Sequence, residues 1–449
     1  MNRPSPVLRE TAAGIVRRLQ DAGFAAYWVG GCVRDYLLGR PPQDYDIATN
    51  AISAEVEKLF PRTVPVGRKF GVILVIEHDH PFQVATFRAE SDYQDGRRPE
   101  HVTFGDPRAD ALRRDFTVNG LFYDPLQAKL LDWVGGEADL RAKILRTIGS
   151  PAERFAEDHL RLLRCVRFAA QLGFTIEPET FTALQKLAPK IKAISAERIR
   201  EELIKLFRPP HAARGLDLLR DSGLLEHILP ELTATIPCEQ SPDYHPEGSV
   251  YNHIRLMLEQ MPLDAPPLLP WAVLLHDIGK PVTAKHDPVT GRIHFYEHEH
   301  IGAAMAENIL RRLRFSNDEI KTVVTCVRHH MQMKDAPQMR KATLRRMLLR
   351  GTFALELELH RLDCLGSHQR LDIHDFLQRE AATLALQPEI HPPLLTGDDL
   401  IALGVPPGPQ MGVLLAEMRE LQLADELKSP QKARDWIRQR LPSCGNITL

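Results

Sequence analysis

No run of apolar residues in this 449-residue sequence approaches the length needed to cross a bilayer, roughly 18 residues. The N-terminus, MNRPSPVLRE, has no apolar signal region, so a cytoplasmic location is expected. Cysteine is scarce. Cys32, Cys165, Cys238, Cys326, Cys364 and Cys444 are scattered without a C-x-x-C, which argues against a zinc knuckle and for reduced thiols. Excess charge of either sign is missing too: 57 Lys and Arg against 59 Asp and Glu leave a net charge of −2. A nucleic-acid partner must then be met by a local basic patch, not by a global field. Internal repeats and long low-complexity linkers are also absent, while the length allows two to four domains with buried cores.

What is present is organised around Val29–Thr49, VGGCVRDYLLGRPPQDYDIAT. An apolar strand-like run, Ala25–Val29, ends at Gly30-Gly31. A short helical segment carrying Arg34 and Asp35 follows, then a turn through Gly39–Pro42 into Asp44-Tyr45-Asp46-Ile47. On a strand, side chains alternate between faces, so Asp44 and Asp46 share one and Tyr45 and Ile47 the other. Two neighbouring carboxylates repel unless a divalent cation lies between them, and Mg²⁺ is commonly held by one or two carboxylates plus substrate phosphates. Glycines lacking Cβ let backbone N–H groups approach phosphate oxygens closely. A lone Asp-x-Asp is usually an exposed turn, and a lone Gly-Gly a tight connection; the ordered set is what is specific.

That ordered set resembles the DNA polymerase β-like nucleotidyltransferases, and more closely the first motif of bacterial class II tRNA nucleotidyltransferases and poly(A) polymerases. The resemblance extends from Val29 to about Trp436. It implies a multidomain α/β plus all-α protein: a head with a small mixed sheet and helices over 1–150, a helical neck and RNA-binding region over 151–236, a helical HD domain over 237–375 and a helical tail over 376–449. Within the head, Ser5-Pro6 reads as a helix start, with Leu8, Ala12, Ile15 and Leu19 at helical spacing. Ser53–Phe60 reads as a helix, and Phe70–Glu77 and Phe82–Arg88 as strands. The polar, glycine-bearing Ser91–Pro99 reads as a hairpin tip by composition; the resemblance makes it a flexible loop implicated in switching from C to A addition.

The string RRDFTVNGLFYDP, Arg113–Pro125, matches the family's RRDFT-x-N motif. This places Arg114 and Asp115 at nucleotide ribose and phosphates, with Gly30, Gly31, Arg34 and Asn119 beside them. Gln83 stands where many relatives have glutamate, so the metal site rests on Asp44 and Asp46. Glu157–Phe174 reads as one helix, with Arg161, Arg164 and Arg167 as a basic stripe and Asp158 one turn before Arg161. By spacing this is an exposed ion pair. The family's E-D-x-x-R instead makes Asp158 and Arg161 the pair that reads the incoming C or A, supported by Glu157, with Arg164 at the nucleotide. Between Arg161 and Arg214, eleven Lys and Arg against five Asp and Glu supply the missing basic patch, with Arg167, Lys190, Lys192 and Arg198 as expected RNA contacts.

Residues 245–374 hold 12 of the 19 histidines. In order come His253, His276-Asp277 in LLHDIGKP, His298, His329-His330 and Asp363, a set suited to divalent metals. It resembles the HD superfamily of metal-dependent phosphohydrolases, which makes His253, His276, Asp277 and Asp363 ligands, with His298, His329 and a candidate His330 for a second metal. His286, His294, His300, His360, His368 and His374 match no motif position and are expected at the surface. The resemblance implies template-independent addition of C and A from CTP and ATP to the tRNA 3′ end, Mg²⁺ in the head and a divalent metal, with a transition metal as one candidate, in the HD domain. Addition of CC or of A alone, poly(A) synthesis, and a phosphohydrolase with a spent head stay open as alternatives.

Overall fold

The computed structural model describes residues 6–67, 71–93, 99–242, 245–290, 292–387, 390 and 392–440. Ser5, Phe70 and residues 94–98 of the Ser91–Pro99 connection lie outside them. The chain divides into two compact units, Met1–Thr233 and Ala234–Leu449.

In the first unit, α1 (Pro6–Asp21) turns Ala12, Ile15, Val16 and Leu19 into the core at the spacing of one helix face. Then come β1 (Ala26–Val29), α2 (Gly31–Leu37), β2 (Ile47–Thr49), α3 (Ser53–Leu59), β3 (Thr63–Gly67), β4 (Val72–Glu77) and β5 (His80–Thr86). A separate hairpin of β6 (Arg88–Tyr93) and β7 (Pro99–Phe104) leads to α4 (Pro107–Leu112), β8 (Phe122–Asp124), β9 (Lys129–Leu131) and α5 (Gly136–Ala142). The main sheet has seven strands in the order β3-β4-β5-β2-β1-β8-β9, all antiparallel except β2 with β5. Its centre is registered by Trp28 opposite Ile47 and Ile47 opposite Val84. All three are buried, and each such side chain contributes roughly 1.5–3 kcal/mol over exposure.

The helical part of this unit begins with α6 (Pro151–Glu157) and α7 (Leu160–Leu172), followed by α8 (Pro178–Leu187), α9 (Ala196–Leu206), α10 (Ala212–Asp221), α11 (Leu224–Ile228) and α12 (Pro230–Thr233). The single helix expected from Glu157 to Phe174 is therefore two. Asp158 is extended (φ −148°, ψ 105°) and accepts from the Leu160 N–H at 3.0 Å, the local side-chain bond by which aspartate competes with a helix ladder.

The second unit is helical: α13 (Val250–Glu259), α14 (Leu269–Leu275), α15 (Lys280–Thr283), α16 (His298–Arg312), α17 (Asn317–His329), a 3₁₀ segment His330–Gln338, α18 (Lys341–Leu348), α19 (Phe353–Gly366) and α20 (Asp372–Ala385). The last three helices are α21 (Gly397–Ala402), α22 (Pro409–Leu423) and α23 (Pro430–Arg438). One apolar cluster joins Met333, Met347 and Phe353 to Leu377, Leu384 and Leu423. It crosses the boundary expected at 375, because the inner faces of α18 and α20 need a shared cover.

Candidate active sites and family

The head site is built where β1 ends. Gly30 has φ +74°, and a Cβ on it would come within 2.9 Å of the Arg114 guanidinium. Glycine is therefore what lets Arg114 lie over the turn. Asp44 and Asp46 fall in the extended connection just before β2, not on the strand itself, and the Val29 N–H donates to the Asp46 carbonyl at 3.0 Å. Tyr45 and Ile47 are buried while Asp44 is exposed and Asp46 half-buried, so the alternation continues through that connection. Burial, then the charge of Asp44, pushes the Asp46 carboxyl up to about 6, against the pull of Arg114. A carboxylate raised by burial and by a neighbouring carboxylate in this way fits a divalent cation. Gln83 is exposed on β5 opposite Leu74.

Behind this turn runs a continuous polar chain. Arg34 donates to the Asn119 amide oxygen at 2.7 Å, and Asn119 donates to Asp115 at 3.0 Å. Asp115 takes two bonds from Arg164, 2.9 and 2.6 Å. Burial alone would raise the Asp115 carboxyl; Arg164 and Asn119 outweigh it and hold it down to about 2. Arg113 and Arg114 both fork onto the buried Asp110, at 2.6 and 2.9 Å, which therefore sits below the usual carboxylate range although burial opposes this. Asp110 was not anticipated, though its spacing one turn before each arginine is a readable signal.

The expected base-reading pair is not paired. Arg161 is held by Glu157 and by the carbonyls of Arg154 and Arg113, at 3.0 and 3.3 Å. Asp158 faces Arg198 at 2.7 Å. The break at Asp158 takes the two side chains off a common helix face. The basic stripe also needs correction: Arg167 is buried against Glu202 at 2.5 Å, with its guanidinium 3.9 Å from the Phe168 ring. Arg164 approaches the same glutamate at 3.9 Å. Arg167 is therefore a core ion pair between α7 and α9, not an RNA contact. Lys190 and Lys192 are exposed on the 3₁₀ segment Ala188–Ala193.

A second site lies in the second unit. His276 caps α14, His298 opens α16 and His330 follows α17. Each Nδ1 lies against the carbonyl three residues earlier: Val273 at 2.9 Å, Phe295 at 2.7 Å and Val327 at 2.7 Å. A carbonyl only accepts, so Nδ1 carries the proton and each Nε2 offers a lone pair inward. Asp277 receives them: His276 Nε2 is 3.1 Å, His298 Nε2 3.4 Å and His330 Nε2 3.6 Å from its oxygens. His298 and His330 bring their Nε2 atoms within 3.2 Å of each other. His253, on α13, places Nε2 3.0 Å from Asp363. Among the described residues three ligand groups result: His253–His276–Asp277, Asp277–His298–His330 and His245–Glu247–His253. The buried His276 Nε2 makes no hydrogen bond, and opposed lone pairs without a proton between them ask for a cation. The donor set fits a divalent metal.

This corrects His329. Val323, Cys326, Val327 and His330 form the buried face of α17 and its exit, and periodicity puts His330, not His329, on it. Half-buried His329 is pushed down to about 4 by desolvation and by Arg350 and Arg328. His360, expected at the surface, is buried and lines a cavity of about 590 Å³ with Asp277, Lys280, His298 and Asp363. Gly279 permits the assembly: a Cβ there would meet the His298 carbonyl at 2.3 Å. Lys280, unremarked in the sequence, lies 2.6 Å from Asp277.

Family models match three stretches: a Poly A polymerase head domain over residues 26–146, a probable RNA and SrmB-binding site of polymerase A over 173–236, and an HD domain over 245–359. A CCA-adding enzyme of Streptococcus mutans is 33% identical over 445 residues, covering 96% of this chain and 97% of that one. The chain belongs to the CCA-adding enzymes. The CCA-adding enzyme of Geobacillus kaustophilus is 44% identical over 228 residues, 51% of this chain; the match spans about half of that relative, 56% of its length. Among solved structures, the Bacillus stearothermophilus CCA-adding enzyme in complex with CTP superposes with a TM-score of 0.73 at 28% identity, over 97% of this chain and 98% of that one. A Thermotoga maritima CCA-adding enzyme complexed with tRNA shares the fold at a TM-score of 0.57 and 18% identity. In this CCA-adding enzyme family member, the head motif and the HD cluster lie in separate compact units.

Proposed function

We propose that the protein adds C and A from CTP and ATP to the 3′ end of tRNA without a template, in a cytoplasmic setting where its scattered, buried thiols stay reduced. The observation that supports this most is the full-length likeness to a CCA-adding enzyme, with Asp44 and Asp46 set beside the Gly30–Arg114 turn. In this reading Asp44 and Asp46 hold Mg²⁺, and the Gly30-Gly31 turn, Arg34, Arg114, Asp115, Asn119 and Arg164 seat the nucleotide. The tRNA 3′-hydroxyl attacks the α-phosphate and pyrophosphate leaves. A divalent cation held by Asp44 and Asp46 would lower the pKa of the attacking hydroxyl and stabilise the leaving group. Arg161 and Asp158 then read the base edge, Arg donating and Asp accepting, after exchanging Glu157 and Arg198 for the nucleotide. Lys190 and Lys192 offer exposed charge to the tRNA backbone.

The test supplies tRNA transcripts ending before the terminal CCA, or after CC, with each NTP alone and together. Completed CCA ends with CTP plus ATP are expected, and Asp44→Ala or Asp46→Ala should lower incorporation by at least about a hundredfold. Incorporation within tenfold of wild type would reject the assignment of the carboxylates. The cluster around Asp277 favours a second reading: a metal-dependent phosphohydrolase acting on esters such as a 2′,3′-cyclic phosphate. A metal held there by His276, Asp277 and their neighbouring histidines would supply a water of lowered pKa as nucleophile.

A further inference from the structure

Three of the histidines around Asp277 are braced alike, each by the carbonyl three residues before it. These carbonyls are available because they lie at helix ends or just outside a helix. His253 has no such option. It sits in the first turns of α13, where the carbonyl of Val250 belongs to the helix's own ladder. Its Nδ1 faces a carboxylate instead, Glu247 Oε1 at 2.7 Å, and the same oxygen lies 2.8 Å from His245 Nδ1.

Glu247 is an unusual residue to find there. Its side chain is 5% exposed, and its second oxygen has no hydrogen-bond partner among the described residues. Burying a carboxylate is costly unless something fixes and uses its charge. The turn that carries it is pinned: Ser249 caps α13 through the Asn252 N–H, Asn252 donates its amide to the Glu247 carbonyl at 3.2 Å, and the Gly248 N–H donates to the His245 carbonyl at 3.1 Å. His253 therefore has the Glu247 carboxylate behind its ring as an ion-pair contact without hydrogen-bond geometry, while its Nε2 lies 3.0 Å from Asp363 and its centroid 5.4 Å from that of His276.

We propose that Glu247 is a positioning residue of the metal centre, orienting His253 through Nδ1 so that Nε2 is presented as a ligand beside His276 and Asp277. This rests on the metal-centre reading above. The buried negative charge behind the ring makes the imidazole a stronger donor than the carbonyl-braced histidines, in the manner of carboxylate–histidine–metal relays. Neither the sequence motifs nor the family models assign this glutamate a part.

The experiment uses the full chain, stripped of metal and titrated with Co²⁺, whose visible absorption distinguishes a histidine-ligated ion from an oxygen-only one. Glu247→Ala should weaken binding of the histidine-ligated Co²⁺ by about 10- to 100-fold and shift its band. Glu247→Gln, whose amide oxygen still offers Nδ1 an acceptor, should lose less, about tenfold. His245→Ala should leave both affinity and band near wild type, since His245 shares the Glu247 oxygen and an edge contact with the His253 ring but supplies no ligand beside His276 and Asp277. Folding of each variant is checked by its thermal transition; if Glu247→Ala fails to fold, Glu247→Gln decides. Wild-type affinity with an unchanged band in the folded glutamate variants overturns the proposal. Loss of a Co²⁺ equivalent in His245→Ala also overturns it, making Glu247 a direct ligand of a separate ion. The parent reading fails differently: wild type would lack the histidine-type band, or His276→Ala with Asp277→Ala would retain it.

Discussion

At the scale of single residues, the side chains with expected roles in reading the nucleotide are held by partners of their own. Arg161 is tied to Glu157 and two carbonyls, and Asp158 to Arg198. In the proposed reading these bonds are exchanged for bonds to the nucleotide, so a base must match both side chains well enough to displace their partners. Arg161→Ala should therefore change the ratios of incorporation among the four NTPs by about tenfold or more, not only the rate. Each good donor–acceptor match to a base edge is worth about 1–3 kcal/mol. Single-turnover rates with each NTP check this; a parallel fall with unchanged ratios would mean Arg161 only supports the fold. E-D-x-x-R singles out these residues together with Glu157 as their support, but not Arg198 as the partner of Asp158. Arg198 is forty positions from Asp158, and no local spacing announces it. His330 was more legible than it was read, since the apolar periodicity of α17 selects it over His329.

Elements carry a different lesson. The central strands and α1 follow from period-two and period-3.6 patterns, whereas the break between α6 and α7 lies within an unbroken helical pattern and comes from one aspartate bonding its own backbone. Likewise, a stripe of arginines every third residue looks like a solvated RNA-binding face. Opposite charges arrive from Glu202 of α9 and from Asp115, remote in sequence, so Arg167 is interior and Arg164 half-buried. The Arg167–Glu202 pair then has a defined energetic character. Removing one partner leaves a buried charge alone, so Glu202→Ala should cost roughly 3–5 kcal/mol. Arg167→Met combined with Glu202→Leu should recover most of that loss, because apolar replacement of a buried pair is often neutral. Urea unfolding of the single and double variants measures the cycle. The same double variant should leave the salt dependence of tRNA binding unchanged, while Lys190→Ala should reduce its slope by about 0.7–0.9. A reduced slope in the double variant would return Arg167 to the RNA face.

At the scale of the whole molecule, the two centres draw on residues from different compact units, with all head ligands before Thr233 and all histidine ligands after it. No side chain serves both. An ion bound only to the folded second unit stabilises that unit by mass action, about 2.7 kcal/mol at a hundred times its dissociation constant. The first unit gains nothing from that ion unless the units are energetically coupled. Adding Mn²⁺ in this range should therefore raise the unfolding transition of the Ala234–Leu449 unit, read by hydrogen exchange at α14 and α17. In the His276→Ala, Asp277→Ala variant that protection should vanish, together with any phosphohydrolase activity. Incorporation of CTP and ATP into tRNA should stay near normal, since Asp44, Asp46 and their supports are untouched. Loss of incorporation in a variant that still folds would show that the metal in one unit governs the chemistry of the other, and independence would be rejected.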